Sequence, residues 1–231
     1  MSKCEQCIIR ELNALKALTK EELVRISNCK TSKTIQKGEI LFNEGEHING
    51  VFCIKSGVCK VSKMSENGRE QIINLMKRGD LLGERSLISN EVANLKATAV
   101  NKMQVCFIPK NEIVRDLQQN HEFSMSFLRN MALTLKANNN TIVEMAQKTV
   151  KQRLAHALLY LSEEFGTDED GALNLHLTRE DIANIIGTAT ETTIRLLSGF
   201  KKKGLIQLKN KAIFVLDKNE LKYISDGVLK S

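Results

Sequence analysis

The spacing of apolar positions changes along the chain, and each change marks a different kind of element. From Cys4 to Asn28, Leu12, Leu15, Leu18, Leu23 and Ile26 stand among charged residues at intervals suited to short helices. From Ile35 to Pro109 the runs become short and β-branched or alternating, separated by Gly38, Gly45, Gly57, Gly68, Gly79 and Gly83, which predicts a strand meander. Val51-Phe52-Cys53-Ile54 and Val58-Cys59-Lys60-Val61 read as strands. Asn67-Gly68 reads as a hairpin turn leading into Gln71-Ile72-Ile73. A compact antiparallel roll or sandwich is the expected product.

After Pro109, the only proline, the texture is helical to about Lys151. Phe127, Met131, Leu135, Ile142 and Met145 can share one stripe, interrupted by Asn138-Asn139-Asn140. Such a stripe serves either ordinary packing or contact with a second copy, and a helix that bridges two domains favours the second copy. Another helix is expected over Val150 to Phe165, ending at Gly166 and the acidic loop Asp168-Glu169-Asp170-Gly171.

The sharpest pattern runs from Leu177 to Leu197. Ile182, Ile185 and Ile186 give a short helix one apolar face, Gly187 supplies a tight turn, and Leu196, Leu197 and Phe200 give a second helix its buried side. Two helices joined by a three-residue turn containing glycine form a helix-turn-helix. The free face of the second helix then carries Thr190, Glu191, Thr192 and Arg195, with Glu191 and Arg195 one turn apart. Arginine can donate a bidentate pair to guanine O6 and N7, and glutamate can accept from cytosine N4. An exposed ion pair between the two is the plainer alternative. Ile194 beside them would suit a thymine methyl. Beyond this helix, Gly204 to Leu208 and Ala212 to Leu216 flank Lys209-Asn210-Lys211, which reads as a β-hairpin wing. Lys209 and Lys211, with Lys201 to Lys203, would contact phosphates and set affinity rather than sequence preference.

Composition adjusts this picture in two ways. The formal net charge of +7 favours a polyanionic partner, and the lysines gather near the C-terminus, where the helix-turn-helix lies. No run of eighteen apolar residues occurs, and Met1-Ser2-Lys3-Cys4-Glu5-Gln6-Cys7 lacks the apolar stretch of a signal peptide, so a cytoplasmic protein without a membrane segment is expected. In a reducing compartment the Cys4-Glu5-Gln6-Cys7 spacing suits a metal or redox site better than a structural disulfide. Nothing in the chain suggests an enzyme: there is no P-loop, dinucleotide fingerprint, nucleophile elbow or His-Glu-x-x-His, and the four histidines are scattered.

The succession Thr178-Arg179…Ile182-Ala183…Gly187…Glu191-Thr192…Arg195-Leu196-Leu197…Gly204-Leu205-Ile206 resembles the C-terminal domain of the CRP/FNR family. Gln36-Lys37-Gly38-Glu39-Ile40-Leu41-Phe42-Asn43-Glu44-Gly45 resembles the family's first β-roll turn, and the resemblance spans nearly the whole chain. It implies an α+β fold: an N-terminal cysteine-containing helical segment (1–30), a cyclic-nucleotide-binding-type β-roll (31–110), a dimerisation helix (111–148) and a winged helix-turn-helix (149–231). It also implies a homodimeric transcription regulator on double-stranded DNA, with RNA polymerase as a further partner. Glu191 and Arg195 match the family's base-reading glutamate and arginine. Thr190 stands where the cyclic-AMP receptor branch has another arginine, and Ala189 where many members have a capping Ser or Thr, a role Thr188 or Thr190 could take. The implied half-site is of the FNR type, TTGA-like.

The sensor is read from two places. Gly83-Glu84 matches the start of the cyclic-AMP cassette, but Ala93-Asn94 stand where its Arg-Ser would bind phosphate, and Arg85-Ser86 come too early to replace them. Gly83 and Glu84 are thus a weak effector site or a structural turn. Cys4, Cys7 and Cys106 fall where FNR-type proteins place three of four iron–sulfur ligands, while Asn13 stands at the fourth. Glu11, Cys29 or another carboxylate could complete the set. A zinc site or a thiol switch at Cys4 and Cys7 is the alternative. Cys29, Cys53 and Cys59 read as small buried hydrophobes.

Overall fold

The computed structural model describes residues 3–227. Met1 and Ser2, which begin the polar N-terminal stretch, and residues 228–231, which end the segment assigned to DNA binding, lie outside them. Two compact units form, one from residues 1–65 with 72–136 and the other from 66–71 with 137–231.

The first unit opens with three 3-10 turns, Cys4–Gln6, Ile8–Leu12 and Ala14–Ala17, followed by α1 (Lys20–Cys29). The start of α1 is fixed by a capping box. Thr19 Oγ1 accepts from the Glu22 backbone N–H, and Glu22 Oε2 accepts from the Thr19 backbone N–H at 2.7 Å. Eight strands follow: β1 (Thr31–Ile35), β2 (Ile40–Phe42), β3 (Gly50–Ser56), β4 (Cys59–Met64), β5 (Glu70–Met76), β6 (Leu81–Leu82), β7 (Lys96–Ala99) and β8 (Met103–Pro109). They form two four-stranded sheets, ordered β1-β8-β3-β6 and β2-β7-β4-β5. The short helix α2 (Glu84–Ser89), which the hydrophobic pattern did not predict, interrupts the strands.

Alternation along β3 and β8 decides what each face of the first sheet covers. Ile54, Met103 and Val105 join the core with Phe42, Cys59 and Ala97 of the second sheet. Val51, Cys53, Cys106 and Ile108 point the other way, into a core with Leu15, Leu23, Ile26, Ile113, Phe123 and Phe127 from the helices and turns. Arg25 of α1 bonds Glu112 at 2.7 Å and also the fully buried Asp116, both on α3 (Lys110–Gln119). Burial pushes the Asp116 carboxyl up, against the pull of the Arg25 guanidinium.

The long helix α4 (His121–Gln147) divides the expected stripe between core and exterior. Phe127 is buried in the first unit and Met131 packs against the same core. Leu128, Leu135 and Ile142, each more than half exposed and spaced seven residues apart, form an outward row, and Leu133 and Val143 are exposed as well. Met145 is half-buried.

The second unit contains α5 (Val150–Phe165), α6 (Arg179–Ile186), α7 (Thr190–Lys202), the hairpin β9 (Ile206–Lys209) and β10 (Ala212–Val215), and α8 (Lys218–Asp226). Capping boxes start α5 at Thr149 with Gln152 and α6 at Thr178 with Asp181. Leu154, Leu158, Leu161, Ile182, Phe200 and Leu221 are among its most buried side chains. The α+β architecture expected from the sequence, a β-roll, a long helix and a winged helix-turn-helix, is therefore the one the chain adopts. Among the described residues, no helix is long and apolar enough to cross a membrane.

Candidate nucleic-acid interface and thiol pocket

The turn between α6 and α7 rests on Gly187, whose φ of 63° lies in the left-handed region that a side chain resists. Its backbone N–H donates to the Ala183 carbonyl and closes α6. Arg153 of α5 holds the same corner. Its Nε donates to the Ile186 carbonyl at 2.7 Å, and its Nη1 donates to the carbonyls of Lys148 at 2.7 Å and Met145 at 3.2 Å. No sequence motif displays this role of Arg153, because its partners are backbone atoms.

Helix α7 buries Thr193, Leu197 and Phe200, while Leu196, expected in the core, is only half-buried. Its opposite face exposes Glu191, Ile194 and Arg195, with Thr190 and Thr192 half-buried at its start. Ile194 is 48% exposed, an apolar side chain left about half uncovered. No ion pair joins Glu191 and Arg195 among the described residues, so both termini are available to a partner. The N-cap of α7 is Ala189, which has no side-chain oxygen, and Thr190 is the first residue of the helix rather than its cap. At the start of α6, Arg179 has one guanidinium nitrogen buried without a partner, and this desolvation lowers its pKa. In the wing, Lys209 pairs in register with Ala212, leaving Asn210 and Lys211 as the tip, with Asn210 at φ 52°. Lys201, Lys202, Lys203, Lys209 and Lys211 are all exposed, and the Lys209 ammonium lies 5.3 Å from the Phe214 ring centre.

In the first unit, Cys4, Cys7 and Cys106 line one pocket, closed by Leu15, Leu23 and Ile108. The pocket also holds a fourth thiol, Cys53, which is buried in the core as expected of a small hydrophobe. All six cysteines are free. The buried Lys30 donates from Nζ to Cys4 Sγ at 3.0 Å. Burial pulls the Lys30 pKa down, but the bond to Cys4 and the nearby Cys106 and Cys7 thiols outweigh it, and the net shift is upward. Ser27 Oγ accepts from the Cys4 backbone N–H at 2.5 Å, and the Ser32 hydroxyl lies 3.5 Å from Cys106 Sγ. Burial, more than its neighbours, pushes the Cys53 thiol up to about 12.

The expected fourth ligands lie elsewhere or are occupied. Glu11 is exposed and paired with Arg10 at 3.0 Å. Cys29 Sγ donates to the Arg25 carbonyl at 3.1 Å and does not line the pocket. Asn13 is buried, but its Oδ1 accepts from the Leu15 backbone N–H at 2.9 Å and its Nδ2 donates to the Gly79 carbonyl at 2.8 Å. Among the described residues, no three His, Cys, Asp or Glu side chains are grouped to hold a metal ion. Four thiols lining one apolar pocket, with a buried ammonium beside them, are the donor chemistry that an anionic iron–sulfur cluster would need.

At the other candidate sensor, Gly83 adopts φ 92° at the start of α2, and an added Cβ would sit 3.0 Å from the Gly50 carbonyl. Glu84 Oε1 is buried without a partner, and burial pushes its carboxyl up to about 7. Ala93 is buried, and its methyl group offers no hydrogen bond or charge to a phosphate. Arg85 is spent on an exposed pair with Glu91 at 2.6 Å.

Residues 32–120 match the cyclic nucleotide-binding domain, and residues 152–224 match the Crp-like helix-turn-helix domain. The chain is 32% identical to the anaerobic regulatory protein of Haemophilus influenzae, over 94% of this chain and 86% of that one. It is 30% identical to the CRP-like cAMP-activated global transcriptional regulator of Mycobacterium tuberculosis, over 80% and 84% of the two chains. In fold it is similar to the crystal structure of a transcriptional regulator from Eubacterium rectale, with a TM-score of 0.77, 22% identity and coverage of 91% and 96%.

Proposed function

Because the chain belongs to the CRP/FNR family of transcription regulators, on its FNR-like branch, we propose that it binds DNA as a homodimer and reads each half-site with the exposed face of α7. Arg195 donates to a guanine, Glu191 accepts from a cytosine, and Ile194 meets a thymine methyl, with Thr190 and Thr192 beside them. Lys209 and Lys211 of the wing, with Lys201 to Lys203, bind phosphates. The observation that carries this reading is the pair Glu191 and Arg195, exposed and not ion-paired, opposite the buried Thr193, Leu197 and Phe200.

The second copy docks on the outward row of α4, Leu128, Leu135 and Ile142, whose heptad spacing suits a helix pair. A Leu135→Glu variant is expected to sediment as a monomer where the wild type sediments as a dimer. A dimer in both would remove this row from the interface. The regulator works in the cytoplasm and meets RNA polymerase on the promoter.

The signal is oxygen or redox state, read at Cys4, Cys7 and Cys106. An iron–sulfur cluster held there would supply the reactivity toward oxygen. Cys4 and Cys7 sit on short turns, so their attachment to Cys106 ties a weakly structured segment to the β-roll, and releasing them frees it. Oxidation of the thiols alone is a second reading, favoured by Cys4 and Cys7 being free thiols that line one pocket.

The DNA reading is tested by anisotropy titrations of a duplex with two inverted TTGA-like half-sites about one helical turn apart, against a scrambled duplex at the same salt. Binding tighter by about a thousandfold is expected for a specific reader. Equal affinity for both duplexes would overturn it.

A further inference from the structure

Resting on the reading of Cys4, Cys7 and Cys106 as cluster ligands, we infer that Cys53 of β3 supplies the fourth thiolate. Cys53 and Cys106 are direct antiparallel partners in neighbouring strands, so their side chains leave the same face of the sheet side by side. That face is the one covered by the N-terminal turns, and Cys53 lines the same pocket as Cys4, Cys7 and Cys106. Two thiols therefore come from the sheet and two from the turns that close over it, an arrangement able to grip a cluster from opposite sides.

Asn13 takes a different role in this site. It stands where the family resemblance places a cysteine, yet its amide is committed to the Gly79 carbonyl and to capping the turn Ala14–Ala17. The same Nδ2 reaches Cys53 Sγ at 3.6 Å. An amide donor on a ligating sulfur is one of the levers that set the potential of a cluster. Asn13 is thus a positioning residue for Cys53, and the missing N-terminal cysteine is replaced by a thiol on the sheet behind it.

Charge supports the assignment. Four thiolates around a cluster leave net negative charge in an apolar pocket, which is costly without a nearby cation. Lys30 reaches Cys4, and Arg10 and Lys55 also line the pocket. Each thiol gives up its S–H proton to solvent as its Fe–S bond forms, four protons in all, and supplying ferrous and ferric iron together with sulfide sets the oxidation level of the core without a further oxidant.

The test is anaerobic reconstitution of the full chain with ferrous and ferric iron and sulfide, followed by iron and sulfide analysis and visible spectra. Wild type, Glu11→Ala and Cys29→Ala are expected to load equally. Cys53→Ala should lose the iron at least tenfold more readily, the smaller cost known for losing an outer-shell partner alone. Cys59→Ala, whose thiol is equally buried but in the other core, serves as the control for packing damage and should load as wild type does. Full loading and an unchanged spectrum in Cys53→Ala would overturn the role of Cys53 while leaving the cluster reading intact. A wild type that takes up no iron would overturn the cluster reading itself, and Cys53 with it. Should Cys53→Ala fail to fold, Mössbauer spectra of the wild type decide. Iron sites with sulfur ligands throughout are expected, and one site with an oxygen or nitrogen ligand would overturn the assignment. In Asn13→Ala, where the four thiols remain, the cluster should still form but with a shifted reduction potential. An unchanged potential would remove Asn13 from the site.

Discussion

All the side chains proposed to meet base edges come from six neighbouring residues, Thr190 to Arg195, on one helix. The four thiols of the pocket come from positions 4, 7, 53 and 106, and meet only because two strands pair and a string of short turns folds over them. The first site is fixed by local geometry: a capped helix, a left-handed glycine and a helix whose buried face dictates its exposed one. The second depends on long loop closures and on turns too short to be stable alone. A reader gains from being preformed, because affinity is lost to every residue that must be ordered on binding. A sensor gains from being assembled out of parts that can separate.

That contrast can be broken from the sensor side first. Arg25 joins α1 to α3 by Glu112 and the buried Asp116, and so holds the segment that covers the thiols. An Arg25→Met variant leaves Asp116 buried without its cation and should lose about 3 kcal/mol of unfolding free energy. Its Cys4 and Cys7 should react faster with a thiol reagent. An unchanged denaturation midpoint would show that the clamp contributes little.

On the reader side, Thr178→Ala removes the side-chain cap of α6. A loss of about 1 kcal/mol is expected in denaturant melts, with thiol reactivity unaltered. If the pocket opened as well, the two sites would not be as independent as their construction suggests. The smallest effect should come from Lys209→Ala in the wing. The slope of log affinity against log salt should fall by about 1, with the preference between duplexes preserved. A change in preference would make Lys209 a reader of sequence rather than of phosphate.

The same contrast explains what could be read from the sequence. Helix α5 was legible to its last residue, because Gly166 follows Phe165 and a capping box precedes it. The turn at Gly187, the wing and the exposure of Ile194 followed from spacing alone. The stripe on α4 was legible only in its second part, Leu135 and Ile142, since Phe127 and Leu128 are adjacent apolar residues and only the packing of the first unit decides which is buried. Arg153 was missed because backbone carbonyls are its partners. Cys53 is buried in the core as expected of a small hydrophobe, but its pairing with Cys106 across the β-roll is not legible, because strand register is not written in composition. Asn13 looked like a gap in a ligand set, and its hydrogen bonds give it another use.

The most direct test of the account is a cycle on Arg195 and the base pair it reads. Wild type and Arg195→Ala are titrated against duplexes that carry either the TTGA-like half-sites or the same half-sites with the guanine replaced. The account predicts that Arg195→Ala costs about 1–3 kcal/mol on the matched duplex and much less on the replaced one. An equal loss on both duplexes would mean that Arg195 binds the backbone or supports the fold, and would contradict the reading of α7 as the source of sequence specificity.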